Sequence, residues 1–213
     1  MTGGDKKDAQ LPGKPQAEFP ARLRSLFFSH RLEIGLIGVI PAAFLVKPDG
    51  MFGTHRTLGI IVSISLLLAG VFLRAWAGGC AGSHTGKMKI QAPRLAIHGP
   101  YAYVRNPIYL GTILIGLGMV GLLEDSRLLP LCLLIFAVLY VMIVPAEEKF
   151  LRENFGAEYE AYFRAVPRLI PRPVRWKQSK CPPFNWGILA GEGRIAAILV
   201  VVFAVMKLAI FLK

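Results

Sequence analysis

Two short blocks hold most of the side chains whose types and spacing could bind or turn over a ligand. The first is His98-Gly99-Pro100-Tyr101-Ala102-Tyr103-Val104-Arg105-Asn106-Pro107-Ile108-Tyr109-Leu110-Gly111, which crowds tyrosines, an arginine and an asparagine around the start of an apolar stretch. Asn106 suits a helix N-cap and Pro107 suits the first turn, where its missing N–H has no partner to lose. The remaining N–H groups of that turn attract a carboxylate or another acceptor. On composition alone, Tyr101, Tyr103 and Tyr109 read equally well as an aromatic belt at a membrane surface. The second block, Pro145-Ala146-Glu147-Glu148-Lys149-Phe150-Leu151-Arg152, puts two adjacent carboxylates where another apolar stretch ends. Charges there are costly unless they meet water or a cation.

The elements that must position these residues follow from charge-free stretches at 34–46, 57–73, 106–123 and 128–146, with a fifth at 195–212 broken only by Lys207. A spanning helix needs ~20 apolar residues. The last four stretches are long enough. The first is short, contains Pro41 and is bounded by Glu33 and Lys47, so a span and a re-entrant hairpin both fit it. The expected fold class is therefore all-α, a polytopic membrane protein with about five transmembrane helices. Beyond the carboxylate pair, Phe155-Gly156-Ala157-Glu158-Tyr159-Glu160-Ala161-Tyr162-Phe163 spaces its apolar residues three and four apart, which predicts an amphipathic helix on the membrane surface. Glu158 and Glu160 fall on its solvated face. Pro167, Pro171 and Pro173 end it.

Composition agrees with lipid as the solvent. Of 213 residues, 54% are apolar and 18% charged, and mean hydropathy is +0.51; a soluble domain keeps about a quarter of its residues charged. The net charge of +12 sorts along the chain. With a cytoplasmic N-terminus and five spans, nineteen of the 25 basic residues fall on one face, twenty with Arg194, leaving Lys47, Arg56, Arg127, Lys207 and Lys213 opposite. This is the positive-inside pattern, and it accounts for the charge without nucleic acid. The first twenty residues read as a disordered tail without a signal-peptide core. Cys80, Cys132 and Cys181 lack metal-ligand spacing, as do His30, His55, His84 and His98, so neither a disulfide nor a metal site is expected. Gly78, Gly79, Gly82 and Gly86 read as a flexible reversal after the second span.

The order Gly99-Pro100-Tyr101…Arg105-Asn106-Pro107-Ile108-Tyr109-Leu110-Gly111, one apolar hairpin, then Glu147-Glu148…Phe155-Gly156…Tyr159…Tyr162…Val166-Pro167…Ile170-Pro171 resembles the isoprenylcysteine carboxyl methyltransferases and phospholipid N-methyltransferases. These are integral membrane enzymes that use S-adenosylmethionine. The match covers residues 95–171 and omits the N-terminal spans and the fifth span. The resemblance implies methyl transfer from S-adenosylmethionine to a lipophilic acceptor entering from the bilayer. It implies cofactor contacts at Leu95, Ala96, Tyr101, Asn106, Pro107, Ile108, Tyr109 and Glu147. Together with the tail and the apolar stretches, it gives an expected division into a tail (1–22), N-terminal membrane helices (23–77), a methyltransferase core (78–175) and a linker with a last transmembrane helix (176–213). The site is expected on the cytoplasmic side of a bacterial inner membrane, and the oligomeric state is left open.

Two positions depart from the carboxyl methyltransferase pattern: Asn106 stands where those enzymes have His, and Ile143 where an arginine grips the substrate carboxylate. An apolar residue at that substrate position cannot hold an anion, and the fourth span offers no other cation. An amine acceptor is then favoured, with Glu148 and Arg105 as the expected catalytic residues and Glu148 handling the released proton. A true prenylcysteine carboxyl methyltransferase is the alternative. A non-enzymatic scaffold or transport component is the alternative from another class, although spans nearly free of polar residues argue against transport. Gly116-Leu117-Gly118 echoes a Gly-x-Gly element near the cofactor in phospholipid methyltransferases, but close helix packing explains it more simply.

Overall fold

The computed structural model describes residues 46–81, 95–176 and 183–212. The short first stretch at 34–46, apart from Val46, the N-terminal tail, Gly82, Gly86 and Cys181 lie outside the described residues. Within them the chain is helical: α1 (Arg56–Ala81), α2 (Pro107–Leu123), α3 (Leu128–Ala165) and α4 (Ile188–Phe211), with single 3-10 turns at Gly53–His55 and Gly99–Ala102. The segments Gly53–Ala81, Leu128–Ala165 and Ile188–Leu208 are long and apolar enough to cross a membrane, and Pro107–Leu123 is a shorter apolar helix. The four stretches expected from 57 onward are thus all helices. Their outer faces expose Leu68 and Phe72 of α1, Leu134 and Val141 of α3 and Val200 and Val201 of α4. Apolar surface of that extent, on helices that satisfy their own backbone, is surface for lipid. The protein is an integral membrane protein.

The helices pack through small residues. A Cβ on Gly70 would lie 2.6 Å from the carbonyl oxygen of Gly111, and one on Gly118 2.6 Å from that of Ser63. α1 and α2 therefore meet backbone to backbone, as small-residue stripes allow in lipid. Gly116 faces the Cys132 sulfur, where a Cβ would stand 2.9 Å away. The Gly-x-Gly of α2 is a packing element on both counts. Gly78 and Gly79 are corrected: they are buried inside α1, which continues to Ala81, instead of forming a loop. A Cβ on Gly78 would come 2.7 Å from Ile188 Cγ1, and one on Gly79 would collide with the Phe184 ring. Their missing side chains admit the start of α4.

The surface helix expected at 155–163 is joined to the fourth span. α3 runs through Pro145 to Ala165 and breaks from helical geometry at Gly156, with φ 49° and ψ −123°. Positive φ costs glycine little, so the bend falls where the sequence permits it. Tyr159, Tyr162, Val166 and Leu95 then form a buried cluster, with Phe155, Phe163 and Trp176 packed against it.

The two ends of the bundle hold different basic residues. At one end Arg56 donates two hydrogen bonds to Glu124 at 2.7 and 2.8 Å. Asp125, almost fully buried, accepts from the Lys47 backbone N–H at 2.9 Å and from Arg127 Nη2 at 2.6 Å. The Arg127 hydrogen bond holds the Asp125 carboxyl well below its usual range, at about 2. At the other end Arg74, Arg105 and Arg168 gather around both sequence blocks. There Arg74 joins Glu192 of α4 at 3.0 Å and Thr112 of α2 at 2.7 Å.

Candidate active site

The first block is held to the chain that follows α3 by backbone hydrogen bonds. Arg105 N–H donates to the Pro167 carbonyl at 2.8 Å, Arg172 N–H to Tyr103 at 2.9 Å and Trp176 N–H to Ala102 at 3.0 Å. The Tyr162 hydroxyl donates to the Tyr101 carbonyl at 2.8 Å. Segments more than sixty residues apart are thereby fixed in register, and the entrance of α2 faces the Glu147-Glu148 turn of α3.

Pro107 opens α2 with Asn106 at the N-cap position, but the Asn106 side chain makes no capping hydrogen bond. Its amide and its backbone N–H both donate to the Arg168 carbonyl, at 3.3 and 3.2 Å. Asn106 thus ties the α2 entrance to the segment after α3, and the side-chain cap expected from the sequence is absent.

The two glutamates have different surroundings. Half-buried Glu147 accepts a hydrogen bond from the Tyr109 hydroxyl at 3.0 Å. Tyr101 lies close enough to feel it: burial first, then the Glu147 carboxylate, push its phenol above the usual range, with Arg74 opposing. Tyr101, Tyr109 and Glu147 therefore converge. Glu148 is buried and ion-paired twice: Arg168 approaches with Nε at 3.0 Å and Nη2 at 2.5 Å, and Arg105 Nη1 stands 3.0 Å from Oε1. The pairing raises the Arg168 pKa further above its already high value. The Arg105 guanidinium also lies over the Phe163 ring, 4.0 Å from its centroid, a cation–π contact.

The remaining residues implied by the resemblance are spread around this centre. Leu95 is packed into the Tyr159–Tyr162–Val166 cluster, and Ala96 beside it is partly exposed. Pro107 is fully buried, whereas Ile108 and, one turn of α3 before Glu147, Ile143 are half-buried. Three neighbours escaped the sequence reading. Arg168 was absorbed into the cytoplasmic charge count, and Arg74 likewise. Tyr140 was hidden in the apolar fourth span, although a tyrosine hydroxyl inside lipid needs a partner and is a signal in itself. It packs edge-on against Tyr109 at 6.1 Å between centroids. On the lipid side, an apolar groove of about 290 Å³ between α1 and α4 is lined by Phe72, Ala75, Trp76, Phe184 and Leu189. One of its lining residues, Trp76, also packs on the Gly99–Ala102 turn, with Nε1 3.2 Å from where a Cβ on Gly99 would lie.

Known proteins resemble the chain in the same region. The family model for phospholipid methyltransferases matches residues 58–158, from α1 through both blocks to just beyond the Gly156 bend. A cobalt-zinc-cadmium resistance protein, CzcN, of Cupriavidus metallidurans is 31% identical over 78% of this chain and 74% of its own length. A nickel-cobalt-cadmium resistance protein, NccN, of Alcaligenes xylosoxydans xylosoxydans is 26% identical over 75% and 73%. The protein-S-isoprenylcysteine O-methyltransferase of Schizosaccharomyces pombe is 34% identical over 51% of this chain and 48% of that enzyme. No solved structure matches the chain. Its apolar helices, the matched region and the two blocks brought face to face agree: the chain belongs to the membrane methyltransferase family of the phospholipid and isoprenylcysteine carboxyl methyltransferases.

Proposed function

We propose that this membrane methyltransferase moves a methyl group from S-adenosylmethionine to a lipophilic acceptor, at the cytoplasmic boundary of a bacterial inner membrane. The observation that carries the reading is the convergence of Tyr101, Tyr109 and Glu147 at the N-terminal end of α2. The chemistry of these groups fits the cofactor. A half-buried carboxylate accepts hydrogen bonds from ribose hydroxyls or an ammonium, aromatic faces attract a sulfonium, and the first turn of α2 suits a carboxylate. When bound, the cofactor supplies an activated methyl group for in-line displacement. The residues of this chain have the remaining tasks, which are to align the acceptor and keep water out.

Glu147 and Tyr109 hold the cofactor, Tyr101 closes one side, and Asn106, Pro107 and Ile108 form the turn beneath it. Leu95 and Ala96 support the site through the cluster that backs it. Glu148 is proposed as a positioning residue that holds Arg105 and Arg168 in place through its two ion pairs. The basic residues gathered at this end support its cytoplasmic side, and the apolar groove lined by Trp76 supports a lipophilic acceptor.

The test is binding of S-adenosylhomocysteine to detergent-purified protein by calorimetry. Saturable binding that weakens in Glu147→Gln is expected. Absence of binding by a folded wild-type protein overturns the enzymatic reading.

A further inference from the structure

Among the described residues, three buried side-chain nitrogen or oxygen atoms lack a hydrogen-bond partner: Arg105 Nε, Arg105 Nη1 and the Tyr140 hydroxyl. All three can donate, and they belong to one place. Arg105, Arg168, Glu148 and Asn106 all act on the Tyr140 hydroxyl. Asn106 lies beside Tyr140 and Tyr159 beside Arg105, and Arg105 Nη1 stands 3.0 Å from Glu148 Oε1 as an ion pair, but none of these approaches forms a hydrogen bond with the three donors. Buried donors are almost always satisfied, and the exceptions call for a ligand, a water or a strained function. The Arg105 side chain is only 9% exposed, so the requirement is strong.

Charge points the same way. Two guanidinium groups, always protonated, face one carboxylate. Glu147, the nearest other acid along α3, turns its carboxylate to Tyr109 instead. The cluster thus carries one positive charge more than it matches internally. Arg168 provides an approach, because its side chain is 46% exposed while Glu148 behind it is enclosed.

We propose that Arg105, Tyr140 and Arg168 form a binding subsite for one anionic oxo group, a carboxylate or phosphate. This deepens the proposed function and rests on it only for the placement of the subsite beside the methyl-transfer centre. The cation missing at Ile143 is then supplied from outside the fourth span, by the α2 entrance and by the segment after α3. The expectation of an amine acceptor rested on that missing cation, and the subsite removes its main support. Two sources offer the same chemistry: the head of an anionic amphiphilic acceptor and the carboxylate of the cofactor.

The experiment uses full-length protein in neutral detergent, with wild type, Arg168→Gln and Tyr140→Phe compared in two arms. In the first, binding of oleate and oleyl phosphate is measured against oleyl alcohol. In the second, S-adenosylhomocysteine is measured against methylthioadenosine, which lacks the carboxylate. Wild type is expected to prefer the anionic member of one pair by about tenfold, the size of one charge-assisted hydrogen bond. Both variants are expected to bring that preference towards unity without weakening the neutral member. A change confined to the first arm assigns the subsite to the acceptor, and one confined to the second assigns it to the cofactor. If wild type shows no preference in either arm, or the variants leave both preferences intact, water satisfies these donors and the proposal is overturned. Failure to bind S-adenosylhomocysteine defeats the cofactor reading, while the amphiphile arm still decides the subsite. Tyr140→Phe removes only a hydroxyl, so a folded variant is available if Arg168→Gln fails to fold.

Discussion

Replacing Glu148 by Gln removes the one negative charge shared by Arg105 and Arg168 and changes little in volume. The two arginines do not suffer equally. Arg168, 46% exposed, can turn to water, whereas Arg105, 9% exposed, is trapped against Phe163 with its charge uncompensated. Breaking a buried pair from one side costs about 3–5 kcal/mol, and most of that falls on Arg105. Unfolding of Glu148→Gln in mixed micelles titrated with a denaturing detergent should show a loss in this range, with turnover crippled. Arg168→Gln should lose only about 1 kcal/mol, because its partner keeps Arg105. The double variant Arg105→Gln, Glu148→Gln should recover part of the loss, since no buried charge is then left alone. A Glu148→Gln protein as stable as wild type refutes the reasoning, because Arg105 must then have found another partner or water.

Three further outcomes follow from the same geometry. Glu147→Gln should weaken S-adenosylhomocysteine binding by about tenfold or more, and Tyr109→Phe by less, because a charged acceptor is lost in one and a neutral donor in the other; calorimetry that ranks them in reverse counts against the cofactor site. Gly118→Leu should destabilise by at least about 1–3 kcal/mol, since even a Cβ there would stand 2.6 Å from the Ser63 carbonyl; thermal unfolding checks it. Asp125 has a depressed pKa of about 2 against an ordinary 3.8, so it stabilises the fold fully above that ordinary value and progressively loses the contribution as pH falls towards 2. Asp125→Asn should flatten the acid limb of a stability–pH curve, and an unchanged limb would show that the pairing with Arg127 and Lys47 is not maintained.

The helices were legible because lipid imposes a simple rule. A segment that satisfies its own backbone and exposes apolar side chains to the bilayer is marked by residue type alone, and the four expected stretches that fall among the described residues are all helices, three of them extending well beyond the charge-free limits. From sequence the bend at Gly156 is not anticipated and Gly78 and Gly79 of α1 read as a loop, for a common reason. Local sequence shows that glycine permits an unusual backbone or a close approach, but not which neighbour takes advantage of it. Phe184 and Ile188, over one hundred residues away, decide that Gly78 and Gly79 are packing positions.

The candidate site divides along the same line. The spacing of the two blocks pointed to Tyr101, Tyr109 and Glu147, because tyrosines and carboxylates at the ends of apolar helices are conspicuous. Arg168 was not conspicuous among so many cations on one expected face, and Tyr140 was one aromatic residue in an apolar run. Sequence alone determined which segments are apolar enough for lipid, where the excess charge lies along the chain and which two blocks set tyrosines and carboxylates at the ends of apolar helices, since transfer of a side chain between water and hydrocarbon is a property of that side chain. Tertiary structure decided that Glu148 faces two arginines, one from the α2 entrance and one from the segment after α3, and that Arg105 and Tyr140 keep unmatched donors. Charge pairing and hydrogen bonding depend on distances of about 3 Å, which only the folded chain sets.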